Sequence, residues 1–468
     1  MKGIIILASL VLSHIFSDHA VLQQNTQAPV WGWGDPGKKV EVIWDGQTYR
    51  TTVQADGSWR LAIPTGQADG AAYTLTVKSG KESLTVNDVV LGEVWLCSGQ
   101  SNMEMPLMGF GFQEVEGATE AIMAAPETAS QVRVFDIKTG KCTESIADVD
   151  AVWTYSSSEV AAKTSAVAYF FGKRLTRALG VPVGLIVNAW GGSRIEPWMT
   201  REAIDGAGLT EPELKDLYAV QEQPDRWPET PELIWNGRVK PIAGYAAKGI
   251  IWYQGCSNMS QPHCYDKLQK AMVEMWRKEW DRDLPFIFTL LAPHSHGDSN
   301  GRWRPFFVEN QLHTEEILDR SWAVCTETLG NEVTVHPAQK KPVADMMVQR
   351  ALQNVYGDNP GISLELPRLQ EVKYEEDGSV KVILTQVWSN LMSISARDIV
   401  GFELAGEDRQ FHLAQAQVDW DGQTLIVKCP EVPHPVAVRY GWRNWMGANL
   451  QKSNGIPVPP FRSDDWEY

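Results

Sequence analysis

In the middle of the chain, short runs of wholly apolar residues alternate with longer stretches that have helical spacing. The apolar runs are Val94–Cys97, Val183–Val187, Gly249–Tyr253, Phe286–Leu291 and Trp322–Cys325. The helical stretches are Val167–Leu179, Tyr265–Trp280 and Val343–Val355. Strands that are apolar on both faces must be covered on both faces, and intervening helices supply that cover. The centre of the chain is therefore predicted to be α/β, a parallel sheet with flanking helices.

Both ends of the chain have a β pattern instead. Before residue 91 the apolar runs are separated by turn sequences such as Asp45-Gly46. These runs are Ala28–Trp33, Val40–Trp44, Tyr49–Val53, Trp59–Ile63, Tyr73–Val77 and Leu84–Val90. After residue 361 the runs are Val380–Val387, Phe411–Val418, Leu425–Cys429 and Val436–Tyr440. The pentapeptide Trp-Asp-Gly-Gln-Thr occurs at Trp44–Thr48 and at Trp420–Thr424, and we interpret both copies as hairpin turns.

These patterns predict a division into domains. Residues 13–91 are expected to form an N-terminal β-sandwich, residues 92–360 a central α/β domain, and residues 361–468 a C-terminal β-rich domain. The stretch near 200–235 is rich in proline and acidic residues and is expected to be an irregular insertion. Met1–Leu12 resembles a shortened secretory signal, because a lysine precedes a short apolar run. We therefore expect an exported protein, periplasmic or extracellular, and the alternative is that Leu10–Ile15 is the first strand.

Composition excludes some classes of protein. The 42 basic and 58 acidic residues give a net charge of −16, which argues against a nucleic-acid binder. The apolar run at the N-terminus is too short to span a membrane. The six cysteines form no CxxC pair, and no histidine spacing near them indicates a zinc site. The 20 tryptophans suit either a protein core or the apolar faces of sugar rings.

Polar side chains follow three of the predicted strands. Ser98-Gly99-Gln100-Ser101-Asn102 follows Val94–Cys97, where the carboxyl end of a parallel strand would present Ser101 as a nucleophile. The α/β-hydrolase pattern Gly-x-Ser-x-Gly is absent, because Met103 replaces the second glycine. Asn188-Ala189-Trp190-Gly191-Gly192-Ser193-Arg194 and Gln254-Gly255-Cys256-Ser257-Asn258 follow two other strands. Glycine N–H groups and amide side chains are the donors that stabilise the oxyanion of ester hydrolysis.

A serine nucleophile also requires a general base. His336 follows a late strand and a loop and precedes Pro337 and a helix, which makes it a candidate. Four other histidines remain candidates by position alone: His263, His294, His296 and His313.

Taken in order, four blocks resemble the sialate O-acetylesterase family of SGNH hydrolases. They are Gly-Gln-Ser-Asn-Met, Trp-Gly-Gly-Ser, Trp-Tyr-Gln-Gly-x-Ser-Asn, and His-Pro followed by lysine and a helix. The resemblance extends to Ile15-Phe16-Ser17-Asp18-His19 near the start and to Pro460-Phe461-Arg462 near the end. It therefore covers nearly the whole chain, and it implies an SGNH-like fold and the removal of acetyl groups from carbohydrate.

The resemblance also implies roles for residues at matching positions. Ser101 is the nucleophile and His336 the base, and the oxyanion is held by the N–H groups of Ser101 and Gly192 and by the Asn258 side chain. The remaining positions are implied to bind substrate: Gln100, Gln254 and Arg194. No metal or organic cofactor is implied, and the implied partner is an acetylated carbohydrate, with neither nucleic acid nor membrane.

Two departures from the family pattern affect these roles. The family places aspartate two or three residues before its catalytic histidine, whereas this chain has Thr334 and Val333 there. The nearest acid, Glu332, is predicted to orient His336. The alternatives are a Ser101–His336 dyad and impaired activity. In addition, Cys256 stands where the family often has glutamate.

Three functions are therefore compared. The leading hypothesis is a carbohydrate O-acetylesterase, acting on O-acetylated sialic acids through an acetyl-enzyme intermediate. The first alternative is an esterase for acetylated xylan or another polysaccharide. The second is a non-catalytic glycan-binding protein on a degenerate hydrolase scaffold.

Overall fold

The computed structural model describes residues 10–138, 140, 142–219, 230–358 and 361–466. They divide into two compact units. The first lies within Met1–Trp252 and Ala271–Phe286, and the second within Tyr253–Lys270 and Ile287–Tyr468. The predicted signal Met1–Leu12 is largely outside the described residues, which begin at Leu10. Val11 and Leu12 form a short strand that pairs with Trp33 and Gly32.

The first unit begins with eight strands. These are β1 (Val11–Leu12), β2 (Val21–Gln23), β3 (Thr26–Trp33), β4 (Lys39–Trp44), β5 (Gln47–Thr52), β6 (Ser58–Thr65), β7 (Tyr73–Ser79) and β8 (Glu82–Gly99). They pair with one another antiparallel except where β2 runs parallel to β8. Strands β1, β3 and β6 form one sheet, while β4 pairs with β5 and β7, and β7 pairs with β8. The hairpin predicted at Asp45-Gly46 is confirmed. Both turn residues have positive φ, 47° and 72°, which is the requirement of a type I′ turn.

Strand β8 was predicted as two strands, and that prediction is wrong. It runs without a break for 18 residues. Its first part pairs antiparallel with β7 and its last part pairs parallel with β11 (Val183–Ala189). The apparent break at Gly92 marks a close backbone approach instead, because a Cβ there would lie 2.2 Å from the carbonyl oxygen of Pro182. One strand therefore leads from the N-terminal sheets directly to Gln100 and Ser101.

We expect Gly92→Ala to lower the free energy of unfolding by about 1–3 kcal/mol, as overpacking does elsewhere. The obstructing atom is backbone and cannot rotate away. Denaturant unfolding of the purified chain measures the change. Gly66→Ala is the matched control, since a Cβ there meets nothing within 4 Å. Equal stabilities for the two variants would contradict the close approach.

The central sheet of the first unit is largely parallel, as predicted. Its other strands are β9 (Val132–Asp136), β10 (Trp153–Tyr155), β11 and β12 (Gly249–Tyr253). The order is β10-β9-β11-β8-β12, in which β11 is parallel to both β8 and β9, and β10 is antiparallel to β9. Every residue of β11 and β12 is buried. Its helices are α1 (Ser101–Glu104), α2 (Ala118–Met123), α3 (Ser158–Lys163), α4 (Ala166–Leu179), α5 (Arg201–Asp205) and α6 (Glu211–Ala219). Helix α7 (Tyr265–Trp280) belongs to this unit from Ala271 onward.

In helix α4, individual residues determine where the helix begins, where it ends and how closely it packs on the sheet. The Ser165 hydroxyl accepts the N–H of Ala168 at 3.1 Å and caps the start, and Gly180 ends the helix in the left-handed conformation. Gly172 allows close packing on the sheet, because a Cβ there would lie 2.8 Å from a methyl group of Leu185 in β11. The insertion expected near 200–235 contains α5 and α6, and residues 220–229 lie outside the described part of the chain.

The second unit contains the last α/β elements and the C-terminal sheet. The former are β13 (Phe286–Thr289), α8 (Trp303–Ile317), β14 (Ser321–Val324) and α9 (Lys340–Asn354). The later strands are β15 (Leu369–Tyr374), β16 (Val380–Leu384), β17 (Leu391–Ser393), β18 (Ile399–Ala405), β19 (Phe411–Val418), β20 (Thr424–Lys428), β21 (Ala437–Tyr440), β22 (Leu450–Lys452) and β23 (Phe461–Arg462).

The C-terminal region is rich in strands, as predicted, although five of its strands were missed: β15, β17, β18, β22 and β23. Seven strands form one sheet in the order β15-β16-β20-β19-β18-β21-β23, and β17 pairs with β22. A single apolar core includes alternate residues of β16 and β20, namely Val380, Val382, Leu425 and Val427. The second copy of the pentapeptide forms the β19–β20 hairpin, where Asp419 N–H donates to the Thr424 carbonyl at 2.8 Å. Among the helices of the described residues, none has the length and apolar character needed to cross a bilayer.

Candidate active site

Ser101 is the first residue of α1 and follows β8 after a sharp turn. Gly99 has a φ of 143°, a value that favours glycine. Gln100, which was predicted to bind substrate, is buried and caps α1, and its carbonyl accepts the N–H groups of Met103 and Glu104. Asn102 and Met103 are buried, whereas Ser101 is half-buried. The turn thus leaves the candidate nucleophile at the carboxyl end of a parallel strand.

The Gly191-Gly192 loop lies beside this turn. Trp190 N–H donates to the Gly99 carbonyl at 2.9 Å, which fastens the loop after β11 to the end of β8. A Cβ at Gly191 would lie 3.5 Å from the Cβ of Ser101 and 2.7 Å from Oε2 of Glu104. The structure therefore brings the predicted nucleophile and the predicted glycine pair together within the first unit.

Glu104 is a residue that sequence reasoning missed. Its Oε2 accepts the N–H of Gly191 at 2.7 Å, so that donor already has an acceptor. Gly192, the glycine chosen as oxyanion donor, has a φ of 73°, and a Cβ there would meet nothing within 4 Å. The sequence signal was the position of Glu104, three residues after Ser101.

Arg238 was also missed, and it supplies positive charge near this carboxylate. Its guanidinium lies 3.9 Å from the centre of the Trp190 ring, and its Nη1 donates to the Ala189 carbonyl at 2.9 Å. Burial lowers the Arg238 pKa to about 10, while the negative charges of Glu104 and Asp136 oppose that shift. Arg238 therefore remains a cation at neutral pH.

Arg194, predicted to bind substrate, forms a buried ion pair. Its Nε and Nη2 donate to Oε1 of Glu196 at 3.0 and 2.7 Å. Both side chains are at most 6% exposed, so each neutralises the other's buried charge.

In the second unit, the loop after β12 has a fixed geometry. Nε2 of Gln254 donates to Oδ1 of Asn258 at 2.8 Å, and the hydroxyl of Tyr265 donates to Oε1 of Gln254 at 2.5 Å. Gly255 has a φ of 151°, and a Cβ there would lie 2.7 Å from the ring of Phe307. Because its oxygen accepts from Gln254, the Asn258 amide turns its nitrogen, the donor end, away from Gln254.

His336 lies in the loop between β14 and α9. The Asn331 side chain accepts the N–H groups of Val333 and Thr334 at 2.9 and 3.0 Å, and Thr334 Oγ1 accepts the N–H of His336 at 3.2 Å. Burial lowers the His336 pKa to about 4, and the positive charges of Lys340 and His294 add to the shift. The imidazole is therefore neutral at pH 7, as a general base must be.

Glu332, predicted to orient His336, is exposed, and its carboxylate contacts a serine. Its Oε1 accepts the hydroxyl of Ser299 at 3.0 Å, and its backbone carbonyl accepts both the N–H and the hydroxyl of Ser295. Asp345, an acid on the helix that follows His336, pairs with Lys341 at 2.7 Å one turn away on α9.

Lys340 is buried, and Cys256 lies close enough to affect its pKa. Burial raises the pKa of the Cys256 thiol to about 12, so the thiol is uncharged at neutral pH. Burial lowers the pKa of the Lys340 ammonium to about 7, and Cys256 opposes that shift. The ammonium lies 5.7 Å from the centre of the Tyr253 ring.

The pKa of His336 predicts a pH profile. We expect kcat/KM for an acetyl ester to fall on acidification with a midpoint near pH 4, because kcat/KM reports the free enzyme's base. An ordinary histidine would give a midpoint near 6.5. Lys340→Met removes a positive charge near the imidazole, so the midpoint should move to higher pH. A wild-type midpoint near 6.5, unchanged in Lys340→Met, would contradict this environment of His336.

Comparisons with known proteins agree with this chemistry. Residues 91–340 match the family model described as carbohydrate esterase, sialic acid-specific acetylesterase. The sialate O-acetylesterases of Rattus norvegicus and Homo sapiens are 26% and 25% identical to the chain. The alignments cover 95% and 96% of this chain, and 92% and 91% of those proteins.

A solved structure extends the similarity. A carbohydrate acetylesterase from Xanthomonas citri, whose crystal structure is known, is 31% identical in sequence to this chain. The two structures align with a TM-score of 0.86 over 98% of this chain and 100% of that one. This likeness, together with the family match, confirms the esterase class and the carbohydrate O-acetylesterase activity predicted from the sequence. The chain therefore belongs to the sialic acid-specific acetylesterase family of carbohydrate esterases.

Proposed function

We propose that this carbohydrate O-acetylesterase removes acetyl groups from O-acetylated sialic acid, with Ser101 as the nucleophile. The observation that carries the choice of nucleophile is the position of Ser101. It opens α1 at the carboxyl end of β8, and its Cβ is 3.5 Å from the position that a Cβ on Gly191 would take. A tetrahedral intermediate formed on Ser101 would thus develop its charge beside a loop rich in N–H donors.

In the proposed reaction, Ser101 Oγ attacks the acetyl carbonyl while His336 accepts the hydroxyl proton. His336 then gives that proton to the departing sugar hydroxyl, which leaves an acetyl group on Ser101. Water, deprotonated by His336, then attacks the acetyl-enzyme, and His336 returns this proton to Ser101 Oγ as acetate leaves. The low pKa of His336 supports its part as the neutral base in the first step.

The proposed oxyanion donors are the N–H groups of Ser101 and Gly192 and the side chain of Asn258. Glu104 supports the choice of Gly192, because it already engages the N–H of Gly191. Gln254 supports Asn258 by holding its carbonyl oxygen, which leaves the amide nitrogen as the end that donates to the oxyanion. Gln100, Gln254 and Arg194 remain proposed as residues that shape or contact the substrate site.

The substrate is tested by acetate release from 9-O-acetylated sialic acid beside acetylated xylan. The sialate O-acetylesterases among the relatives favour the first substrate, whereas the Xanthomonas citri enzyme is named only a carbohydrate acetylesterase. We expect a higher kcat/KM with the sialic acid. A higher value with acetylated xylan would assign the chain to the polysaccharide alternative.

Glu332 remains the proposed orienting acid, and Glu332→Gln tests it. Loss of a catalytic carboxylate costs roughly 10,000-fold in a serine hydrolase. Because Glu332 is exposed and its carboxylate contacts Ser299, we expect a smaller loss, about 10- to 100-fold in kcat. Asp345→Asn is the matched control and should change kcat little. Nearly full activity in Glu332→Gln would favour a Ser101–His336 dyad.

We also propose that the chain has an SGNH-type core with β-sandwich modules and that it is exported. The parallel sheet with its helices supports an SGNH-type core, and the antiparallel sheets support β-sandwich modules at 13–91 and 361–468 around a catalytic domain at 92–360. The lysine and apolar run at the start of the sequence support export.

A further inference from the structure

Two tryptophans in the described part of the chain are exposed, and both lie in the C-terminal β region. Trp388 is 73% exposed and Trp420 is 93% exposed. The repeated pentapeptide provides an internal comparison, because Trp420 and Trp44 each begin one copy of it. Trp44 is 2% exposed and stacks on Tyr73 with ring centres 5.0 Å apart. The turn sequence therefore does not dictate exposure, and the position of Trp420 in water is a property of this surface.

The two tryptophans occupy neighbouring loops. Trp388 lies between β16 and β17, and Trp420 lies in the β19–β20 turn. Leu391 N–H donates to the Gly422 carbonyl at 2.8 Å, and a Cβ on Gly422 would lie 2.4 Å from Oδ1 of Asn390. From these links, the two tryptophan Cα atoms can be at most about 20 Å apart. A short oligosaccharide spans such a distance.

Both indoles are available to a ligand. Within the described ranges, neither ring stacks on another aromatic ring and neither indole N–H donates a hydrogen bond. The exposed amide side chains of Asn390 and Gln423 flank them, and these amides make no hydrogen bond within the same ranges. Large exposed apolar side chains are costly in water and are informative when they cluster. Aromatic faces combined with amides match the two chemical sides of a sugar, its C–H face and its hydroxyl groups.

The local charge selects the kind of sugar. Two acids beside Trp420, Asp419 and Asp421, are balanced by two lysines nearby, because Lys381 interacts with Asp419 and Lys452 Nζ donates to the Gln386 carbonyl at 3.3 Å. Since these opposite charges nearly cancel, the surface offers an anionic glycan or an anionic lipid surface no net attraction. The electron-rich face of an indole attracts the slightly positive C–H groups of a neutral pyranose ring.

We propose that Trp388 and Trp420, with Asn390 and Gln423, form a binding surface for a neutral glycan chain. We call these four residues the indole surface. It acts in addition to the residues proposed to cleave the ester, and it retains the chain on a glycan through the neutral sugars of that glycan. The proposal rests on the proposed function only in the choice of carbohydrate as the ligand.

Depletion from solution by insoluble cellulose, xylan and mannan tests the surface. The full chain, carrying Ser101→Ala to prevent turnover, is compared with the same chain carrying Trp388→Ala and Trp420→Ala. We expect the double replacement to weaken binding to at least one of the three glycans by about tenfold or more. Leu413→Ala is the matched control, because Leu413 is 67% exposed on the same sheet. Thermal unfolding should differ little among these surface variants.

A second measurement separates binding from catalysis. With Ser101 intact, the tryptophan variant should hydrolyse 4-nitrophenyl acetate within about twofold of wild type, since no proposed site residue is replaced and exposed side chains contribute little to the fold. Absence of wild-type binding to all three glycans, or equal depletion of wild type and double variant, would overturn the indole surface. Preferential binding to polygalacturonate or to phosphatidylserine vesicles would also overturn it. These binding results hold whether or not acetate is released from sialic acid.

Discussion

Replacement of Ser101 by alanine is expected to lower kcat/KM for acetyl esters by at least about 1,000-fold, because losing the nucleophile removes covalent catalysis altogether. The fold should persist, since Ser101 is half-buried and its side chain fills little of the core. Acetate release and denaturant unfolding measure the two effects. Ser130→Ala, at an exposed serine of the first unit, is the matched control and should keep full activity. Residual activity above about a tenth of wild type would exclude Ser101 as the nucleophile.

His336→Ala is expected to reduce the rate about as far as Ser101→Ala, since base and nucleophile act as a unit. For the same reason, the double variant should be no slower than either single variant. His313→Ala is the sharpest control, because Nδ1 of His313 lies 2.7 Å from the Asp266 carboxylate. A histidine held by a carboxylate in this way resembles the base of a catalytic triad, yet we expect His313→Ala to leave kcat nearly unchanged. A greater loss in His313→Ala than in His336→Ala would transfer the role of base to His313.

The central strands were predictable because burial on both faces leaves a clear apolar run. Gly249–Tyr253 and Tyr265–Trp280 have the predicted bounds in the structure. Strand β9 was missed because Arg133 interrupts its apolar run. The guanidinium of Arg133 is 2% exposed and bonds to the Asp88 carbonyl and carboxylate, contacts that no local pattern indicates. The contact of Arg133 with Asp88, which is distant in the sequence, thus allows a buried strand that the sequence pattern does not indicate.

Helix α8 was missed for a related reason. Its first turn contains Arg304 and Pro305, which interrupt an apolar pattern. Proline is tolerated in the first turn, where its N–H would lack a partner within the helix. Arg304 can be buried because Glu327 neutralises its charge in an ion pair. The two residues are 23 positions apart in the chain, so no local pattern indicates the pair.

Part of the candidate site was predictable from the residues that follow each strand. Ser101 and the Gly191-Gly192 pair both follow strands, and the parallel pairing of β8 with β11 brings them together. Arg238 carries no such signal, and the position of Glu104 three residues after Ser101 does not show what its carboxylate contacts. Glu104 reaches the Gly191 N–H across 87 positions of chain, and Arg238 reaches the end of β11 across 49.

Because β8 is unbroken, the N-terminal sheets of this chain cannot be separated from the strand that leads to Ser101. A fragment beginning at Gly92 would start in mid-strand, without the residues of β2 and β7 that pair with β8. Tyr245 would lose the Val21 carbonyl, to which its buried hydroxyl donates at 2.7 Å. Residues 10–91 therefore depend on the rest of β8 and could not be exchanged for another domain on their own. They and the nucleophile's strand are expected to gain and lose their structure as one cooperative unit, so changes in one must be tolerated by the other.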